Sequence, residues 1–502
     1  MVVRRIARWF DDRLAASRFA RTSLNKVFPD HWSFMLGEVA LYCFVVLILT
    51  GIYLSIFFVP SDKDVIYQGS YAALRGTHMT QAYESTIRLS FDVRAGLVMR
   101  QIHHWAALVF IAAIVMHLCR IFFTGAFRRP RELNWLVGVT LLVLAIFNGF
   151  AGYSLPDDLL SGTGLRIAYS IALAIPVVGT WIAFLLFGGE FPAHDILSRL
   201  FVVHILIIPA AIATLLAAHL AILWRQKHSQ FAGRGRTNEN VVGSRLWPTY
   251  AAKSVGLFAI VAGVLALLGG LAQINPVWLY GPFKPAAVST AAQPDWYMGW
   301  IEGALRIMPP AYIKVGTYNI SEIFWPAILL PTVTFGLLYL WPFLEAKVTG
   351  DHREHHLLDR PSERPVRTSL GVVVLTFYVV LLLAGGQDIW AQELHLSLST
   401  VLWTFRILVF VLPVVLGLFT WKVCRDLLAG RHAEHEELRA EPPVAVNQPG
   451  PERERVTPPP EPEPQPDDVS APRRWARKLQ GVVILFVLRR AGTRPRERTP
   501  PA

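Results

Sequence analysis

The chain is predicted to be an all-α integral membrane protein with eight transmembrane helices, and three observations carry that prediction. Of its 502 residues, 53% are hydrophobic, and the mean hydropathy is +0.40. Apolar runs of about 20 residues recur along it, each long enough to cross roughly 30 Å of hydrocarbon. Two of these runs hold histidines in matched pairs: His103 and His117, 14 residues apart, and His204 and His219, 15 apart. A soluble enzyme does not place so many uninterrupted apolar runs in series. An ionisable residue inside hydrocarbon is costly unless it is paired, coordinated or functional.

In chain order, residues 1–30 carry basic residues on an apolar rhythm without an apolar core run. They read as an amphipathic helix lying on the membrane surface rather than a cleaved signal. Eight spans follow, at about 37–59, 98–122, 133–153, 199–224, 254–273, 323–343, 369–385 and 399–423. In the gap 154–198, the stretch LRIAYSIALAIPVV has helical periodicity but is too short to cross. In 274–322, DWYMGWIEGALRI reads as a short amphipathic helix following QPDWY. The chain thus divides into the segment 1–30, a first four-span unit (31–225), a second four-span unit (226–425) and a Pro- and Glu-rich tail (426–502) expected to be disordered. Within the tail, RRWARKLQGVVILFVLRR has an apolar run too short to span. Cys43, Cys119 and Cys424 offer no disulfide framework, CxxC clip or CxxCH haem-attachment site.

The net charge of +12 is distributed by membrane orientation. The N-terminal segment and the gaps after spans two, four and six carry more than twice the Lys and Arg of the alternate gaps, and the gap after span seven carries none. The positive-inside bias places both termini in the cytoplasm and makes nucleic-acid binding an unsuitable reading. Spans two and four then run from outside to inside. His103 and His204 lie toward the outer face, and His117 and His219 toward the inner face.

On a helix, either pair spans roughly 21–22 Å and returns to nearly one face. Two neutral imidazoles from facing helices suit haem iron with two axial ligands. Zinc asks for three or four protein ligands, which these helices do not offer. The expected architecture is a di-haem four-helix bundle (spans 1–4) plus a further helix group (spans 5–8). His104, turned about 100° from His103, is expected to point away from the centre. Gly37 and Gly51 in span one, and Gly138 and Gly152 in span three, repeat the 14-residue separation. Glycine lets another body approach a helix closely, so these four are read as haem-edge positions at two depths. Arg100 and Arg120, three residues outside the histidines of span two, are placed to neutralise haem carboxylates.

Residues 30–425 resemble the cytochrome b subunit of the cytochrome bc complex, quinol–cytochrome c reductase. The resemblance rests on LTG at 49–51, RQIHH…MHLCR at 100–120, GYSLP at 152–156, the His204–His219 helix with Pro209, and PDWY at 294–297. WSFMLGE, QKHSQF, INPVW and the FKP loop look most like the actinobacterial form, which uses menaquinol. The 15-residue spacing in span four is similar to the photosynthetic b6f relative, whereas the mitochondrial form has 14.

The resemblance implies a low-potential haem on His103 and His204 and a high-potential haem on His117 and His219, both b-type and non-covalent. It makes PDWY the outer quinol-oxidising segment, with Asp295 in place of the family's Glu as proton acceptor. Tyr297 is assigned beside it, and Pro294, Tyr153 and Gly164 line the pocket. At the inner quinone-reducing site WPTYAAKS supplies Lys253, while the family's acid is replaced by Ser254, and Trp224 stands where many relatives have histidine. Cys43, eight residues before Gly51, matches the position at which the photosynthetic relative holds a third, covalent haem. The residue-level alternative for Cys43 is a small buried apolar side chain, and for Asp295 a helix cap.

The expected function is therefore the cytochrome b subunit of a respiratory quinol–cytochrome c oxidoreductase of the cell membrane, coupled to proton translocation. Implied partners are a Rieske iron–sulfur protein, a cytochrome c subunit, a cytochrome c oxidase in a supercomplex, the lipid membrane and a second copy of the complex in a homodimer. Two other readings are a di-haem membrane anchor of a dehydrogenase and a proton-coupled transporter. The first does not account for PDWY or the second quinone segment, and the second predicts no haem.

Overall fold

The computed structural model describes residues 2–192, 195–287, 293–316 and 318–440. Among them, eight helices are long and apolar enough to cross a membrane: Trp32–Phe57, Gly96–Phe123, Glu132–Tyr153, Ile196–Arg225, Leu246–Leu271, Trp325–Thr349, Pro365–Gly385 and Leu398–Arg431. Each overlaps the apolar run expected for it. They carry large apolar side chains on outward faces, such as Leu49, Ile52, Leu206 and Leu267, all exposed. That is the pattern of helices whose outer surface meets lipid.

Span two is the hub. Span one packs along it on one side and span five on another, while span four packs against span three. Gly269 makes the contact of span five intimate, since a Cβ there would lie 2.5 Å from Ile102 Cγ1. By packing, span five therefore joins spans one and two, across the division expected at residue 225. Spans seven and eight pack along each other. The helix Trp296–Ile307 lies against span seven, where a Cβ on Gly303 would fall 1.7 Å from the Leu381 carbonyl oxygen. The same helix touches spans two and three, so the PDWY segment sits where the two helix groups meet.

The connectors are held by caps and short pairings. Thr80 accepts from the Tyr83 N–H at the start of the helix Gln81–Phe91. Asp158 caps the helix Leu159–Leu173 through Leu160 N–H and Ser161 N–H, with the Ser161 hydroxyl closing a capping box. This cap starts the helix six residues ahead of the periodic stretch read from sequence. Val27–Phe28 pairs with Ser244–Arg245, tying the N-terminal segment to the connector ahead of span five.

Two expectations change. The N-terminal amphipathic segment is two helices, Val2–Leu14 and Ala16–Leu24, broken at Ala15, whose φ is 47°. The Asp11 carboxylate accepts from Ser17 N–H (2.6 Å) and Ser17 Oγ (2.8 Å), which caps the second helix across the break. The last span does not stop near residue 425: its helix continues to Ala440, because RHAEHEELRA is rich in helix formers and holds no proline. The rest of the tail, including its apolar run, lies outside the described residues.

Span four is not a uniform α-helix. Val203–Ile207 forms a π-turn between Ile196–Val202 and Ile208–Arg225. Pro209 lacks the N–H that a carbonyl one turn earlier would use, and the wider turn accommodates that loss.

Candidate functional site

The four histidines meet as two pairs. The rings of His103 and His204 face each other with centroids 6.1 Å apart and planes 74° apart. One metal atom with imidazole bonds of roughly 2 Å on either side would fill that gap. His204 Nδ1 donates to the Asn148 carbonyl oxygen at 3.0 Å. The Thr50 hydroxyl donates its proton to Val46 O at 2.7 Å, so it accepts from His103 Nδ1–H at 2.9 Å. Both Nδ1 atoms are thereby protonated, which leaves each Nε2 with its lone pair for a metal. His117 and His219 form the second pair, close enough to interact electrostatically.

His204 lies inside the π-turn. A π-turn holds one residue more than the α-turn it replaces. The 15-residue spacing of span four therefore reaches the same two depths as the 14-residue spacing of span two.

The glycines lie against the histidines. An added Cβ would meet a histidine ring in every case: Gly51 with His103 Cε1 (3.2 Å), Gly37 with His117 Cε1 (3.2 Å), Gly152 with His204 Cε1 (2.4 Å) and Gly138 with His219 Cε1 (3.7 Å). The body that approaches each glycine is the imidazole, which packs against the neighbouring helix where a side chain would block it. The 14-residue repeat of the glycines thus matches the spacing of the histidines they face.

Both arginines keep a buried Nε without a hydrogen-bond partner among the described residues, and they differ in their other donors. Both Arg100 Nη atoms donate to the Asn275 carbonyl at 3.2 Å. Arg120 lies 4.2 Å over the Phe34 ring, and its buried Nε and Nη2 have no hydrogen-bond partner among the described residues. A buried cation with unused donors fits an acidic group such as a haem propionate. Among the described residues, no cluster of three or more His, Cys, Asp or Glu is arranged to hold a bare metal ion. Opposed imidazole pairs with a cation beside them suit a haem.

At the PDWY segment, Asp295 occupies the N-cap position of Trp296–Ile307 but makes no capping hydrogen bond with its side chain. Its carboxylate is held instead by His104 Nε2 (2.8 Å) and the Tyr297 hydroxyl (3.2 Å). Burial and the neighbouring Asp295 keep the Tyr297 phenol well above its usual pKa, so it remains a donor. Gly149 in span three makes room for it, since a Cβ there would lie 2.6 Å from Tyr297 Oη. A Cβ on Gly164 would lie 3.8 Å from Tyr153 Cε1, and Tyr153 interacts electrostatically with Asp295 and Tyr297. A cavity of about 290 Å³ opens on the other flank, lined by Pro294, Trp296 and Glu302 and by Gly385 and Gly386 at the end of span seven. Pro294 thus faces the cavity, while Asp295 and Tyr297 turn toward spans two and three.

At the opposite end, Lys253 is paired with Asp30 at 2.6 Å, both side chains nearly half exposed. Ser254 donates to Glu38 Oε2 at 2.7 Å. The Tyr42 hydroxyl donates to the same oxygen at 3.0 Å, and the Tyr250 hydroxyl donates to Glu38 Oε1. Glu38 follows Gly37, the residue against His117. Nearby, the Lys26 ammonium lies over the Trp224 ring at 4.2 Å.

Sequence reasoning missed three of these residues. The offset of about 100° that turns His104 from the bundle centre aims it at Asp295. Thr50 and Glu38 lay unassigned inside LTG and WSFMLGE, and their partners are far away in sequence.

The family model described as Cytochrome b(N-terminal)/b6/petB matches residues 108–282. The cytochrome bc1 complex cytochrome b subunit of Streptomyces coelicolor is 53% identical over 424 residues, covering 84% of this chain and 78% of that protein. The corresponding subunit of Mycobacterium leprae is 53% identical over 427 residues, covering 85% and 77%. A chain of a solved hyperthermophilic respiratory Complex III superposes with a TM-score of 0.62 at 21% identity, covering 82% of this chain and 99% of that one.

Proposed function

Because the chain belongs to the cytochrome b subunits of the cytochrome bc1 complex, we propose that it oxidises menaquinol at an outer pocket beside Asp295 and reduces quinone at an inner site beside Lys253. Membership makes it a multi-pass membrane subunit of quinol–cytochrome c oxidoreductase that carries b-type haems. It works with a Rieske iron–sulfur protein and a cytochrome c subunit. The dehydrogenase-anchor and transporter readings fall away.

His103 with His204, and His117 with His219, would hold two haems, with Arg100 and Arg120 toward their carboxylates. When bound, the haems supply one-electron transfer through the thickness of the membrane. The protein's own groups handle protons and orientation. Asp295 accepts a proton from the quinol hydroxyl, and its carboxylate is available because capping does not engage it. Tyr297 and His104 fix the direction of that carboxylate. One electron of each quinol leaves to the iron–sulfur protein and the other returns inward. Lys253 and Ser254 stand at the inner site, where protons enter from the cytoplasm. Proton release outside and uptake inside charge the membrane, with both termini cytoplasmic as the Lys and Arg excess favours. Menaquinol, a dimeric complex and an attached cytochrome c oxidase rest on the resemblance to the actinobacterial form. Cys43 is fully buried in one cluster with Phe44 and Phe110, and we assign it a packing role. A haem-stained band at this subunit's mass after denaturing electrophoresis would reassign it as a covalent haem site.

The observation that carries the reading is the His103–His204 pair, 6.1 Å apart with both Nδ1 atoms engaged elsewhere. A reduced-minus-oxidised spectrum of the purified complex, with haem-to-protein stoichiometry, tests it. Two b-type haems per chain are expected, and single His103→Ala or His219→Ala variants should each lose one. A spectrum without a b-type band would defeat the redox reading.

A further inference from the structure

We infer that Glu38, on span one, is the carboxylate of the inner quinone-reducing site, held ready by three hydroxyls and passing protons to the quinone through them. This deepens the inner-site reading proposed above and rests on it. The sequence leaves that site one acid short, because Ser254 stands beside Lys253. The structure places an acid within reach of that serine from the facing helix: Ser254 Oγ donates to Glu38 Oε2 at 2.7 Å. Tyr42 donates to the same oxygen at 3.0 Å, and Tyr250 donates to Oε1. Tyr42 Oη and Ser254 Oγ are themselves 2.5 Å apart. One carboxylate and three hydroxyls from spans one and five thus form a continuous hydrogen-bonded unit.

Its position suits proton delivery. Glu38 follows Gly37, which lies against the ring of His117, so the unit sits beside the inner histidine pair. Outward from it, Asp30 bonds both Lys253 Nζ (2.6 Å) and Ser244 Oγ (2.5 Å), and both acid and lysine are partly exposed to solvent. Asp30 occupies Lys253, so the lysine does not neutralise Glu38. Reducing one quinone to quinol consumes two electrons, which the complex delivers in turnover, and two protons. Each proton passes from the Glu38 carboxyl through a hydroxyl to a quinone oxygen, and the carboxylate is reprotonated from the cytoplasmic water that reaches Asp30 and Lys253. No further reactant is needed.

The test uses the whole detergent-solubilised complex, reduced and then mixed with a soluble 1,4-naphthoquinone while the b-type band is followed. The part of the reoxidation rate that Lys253→Met removes is the inner-site rate. Glu38→Gln should retain both haems and slow that part on the order of tenfold to a hundredfold. Ser254→Asp in the Glu38→Gln background should recover most of it, because it returns a carboxylate to the same hydrogen-bonded unit. A Glu38→Gln rate equal to wild type, with Lys253→Met still slow, overturns the assignment of Glu38 and keeps the site. If Lys253→Met removes nothing, the inner-site reading itself fails. A slow Glu38→Gln that Ser254→Asp and Glu38→Asp both fail to recover would make the residue structural and overturn the proposal. Should Glu38→Gln lose haem, Tyr250→Phe and Ser254→Ala are read instead: slowing supports the proposal, and unchanged rates in both overturn it.

Discussion

His104 Nε2 lies 2.8 Å from Asp295 Oδ1, so the residue after a haem-ligand candidate and the acid of PDWY form one hydrogen-bonded unit across 191 positions of sequence. Both side chains are about 15% exposed, which keeps water from competing strongly for the bond. The unit joins span two to the outer pocket.

Asp295→Asn keeps the shape of the carboxylate and removes its ability to take a proton. Quinol-driven cytochrome c reduction should fall by about 10²-fold or more, with both haems still bound. His104→Gln retains a donor and should cost less, on the order of tenfold, with the loss in turnover rather than in quinol affinity. Steady-state kinetics on purified complex, normalised to haem, measure both. Full turnover in Asp295→Asn would discard the proton-accepting role.

The π-turn predicts an asymmetry between deletion and insertion in span four. Deleting Leu206, whose side chain points outward and is 62% exposed, should convert the turn to α-helix and leave His204 and His219 at their depths. Both haems should remain. Inserting one alanine after Leu206 has no such outlet, rotates the following helix by about 100° and should cost at least one haem. Haem stoichiometry of the two variants is the measurement, and equal loss in both would count against the π-turn account.

The glycine contacts rank their own substitutions. A Cβ at Gly152 would stand 2.4 Å from His204 Cε1, closer than packed atoms tolerate, whereas one at Gly138 meets His219 at an ordinary 3.7 Å. Gly152→Ala should displace the His204 ring and remove about half of the haem. Gly138→Ala should keep all of it. Quantitative spectra of membranes expressing each variant distinguish the outcomes.

Asp157, between spans three and four, is pushed up to about 7 by burial, against a hydrogen bond from Thr80 that acts in the opposite direction. A carboxyl with a raised folded-state pKa contributes fully below its unfolded pKa near 3.8, and the contribution is lost as pH rises toward 7. Through this group the protein should be more stable at pH 5 than at pH 8, by at most about 3 kcal/mol, because only the two pH units between pH 5 and the folded pKa of about 7 are lost over that range. Asp157→Asn suits the positive φ of 55° and can still accept from Thr80. It should raise the thermal midpoint at pH 8 and leave it nearly unchanged at pH 4. A parallel shift at both values would reject the assignment.

The spans and the histidine pairs were legible because both are periodic: apolar length measures the bilayer, and the 14-residue interval measures two depths. The glycine repeat was legible as a number but not as a contact, since spacing cannot say whether a ring or a cofactor edge presses on a helix. His104 and Glu38 were not legible at all. Their partners, Asp295 and the Tyr250–Ser254 pair, depend on how the helix Trp296–Ile307 meets span two and how span five meets span one, and no local pattern reports that. Which side of the PDWY segment each residue faces was not legible either: Pro294 and Trp296 line the cavity, while Asp295 and Tyr297 turn toward spans two and three.

The π-turn in span four has a consequence for how such chains diverge. Two relatives whose histidines differ by one in spacing look misaligned when residues are counted, yet they superpose when distances along the axis are compared. A lineage can gain or drop the extra residue in a single event without passing through a defective ancestor, because the local winding absorbs the change. Alignments that force a gap elsewhere in this helix would then assign the wrong neighbours to Pro209 and to every position after it.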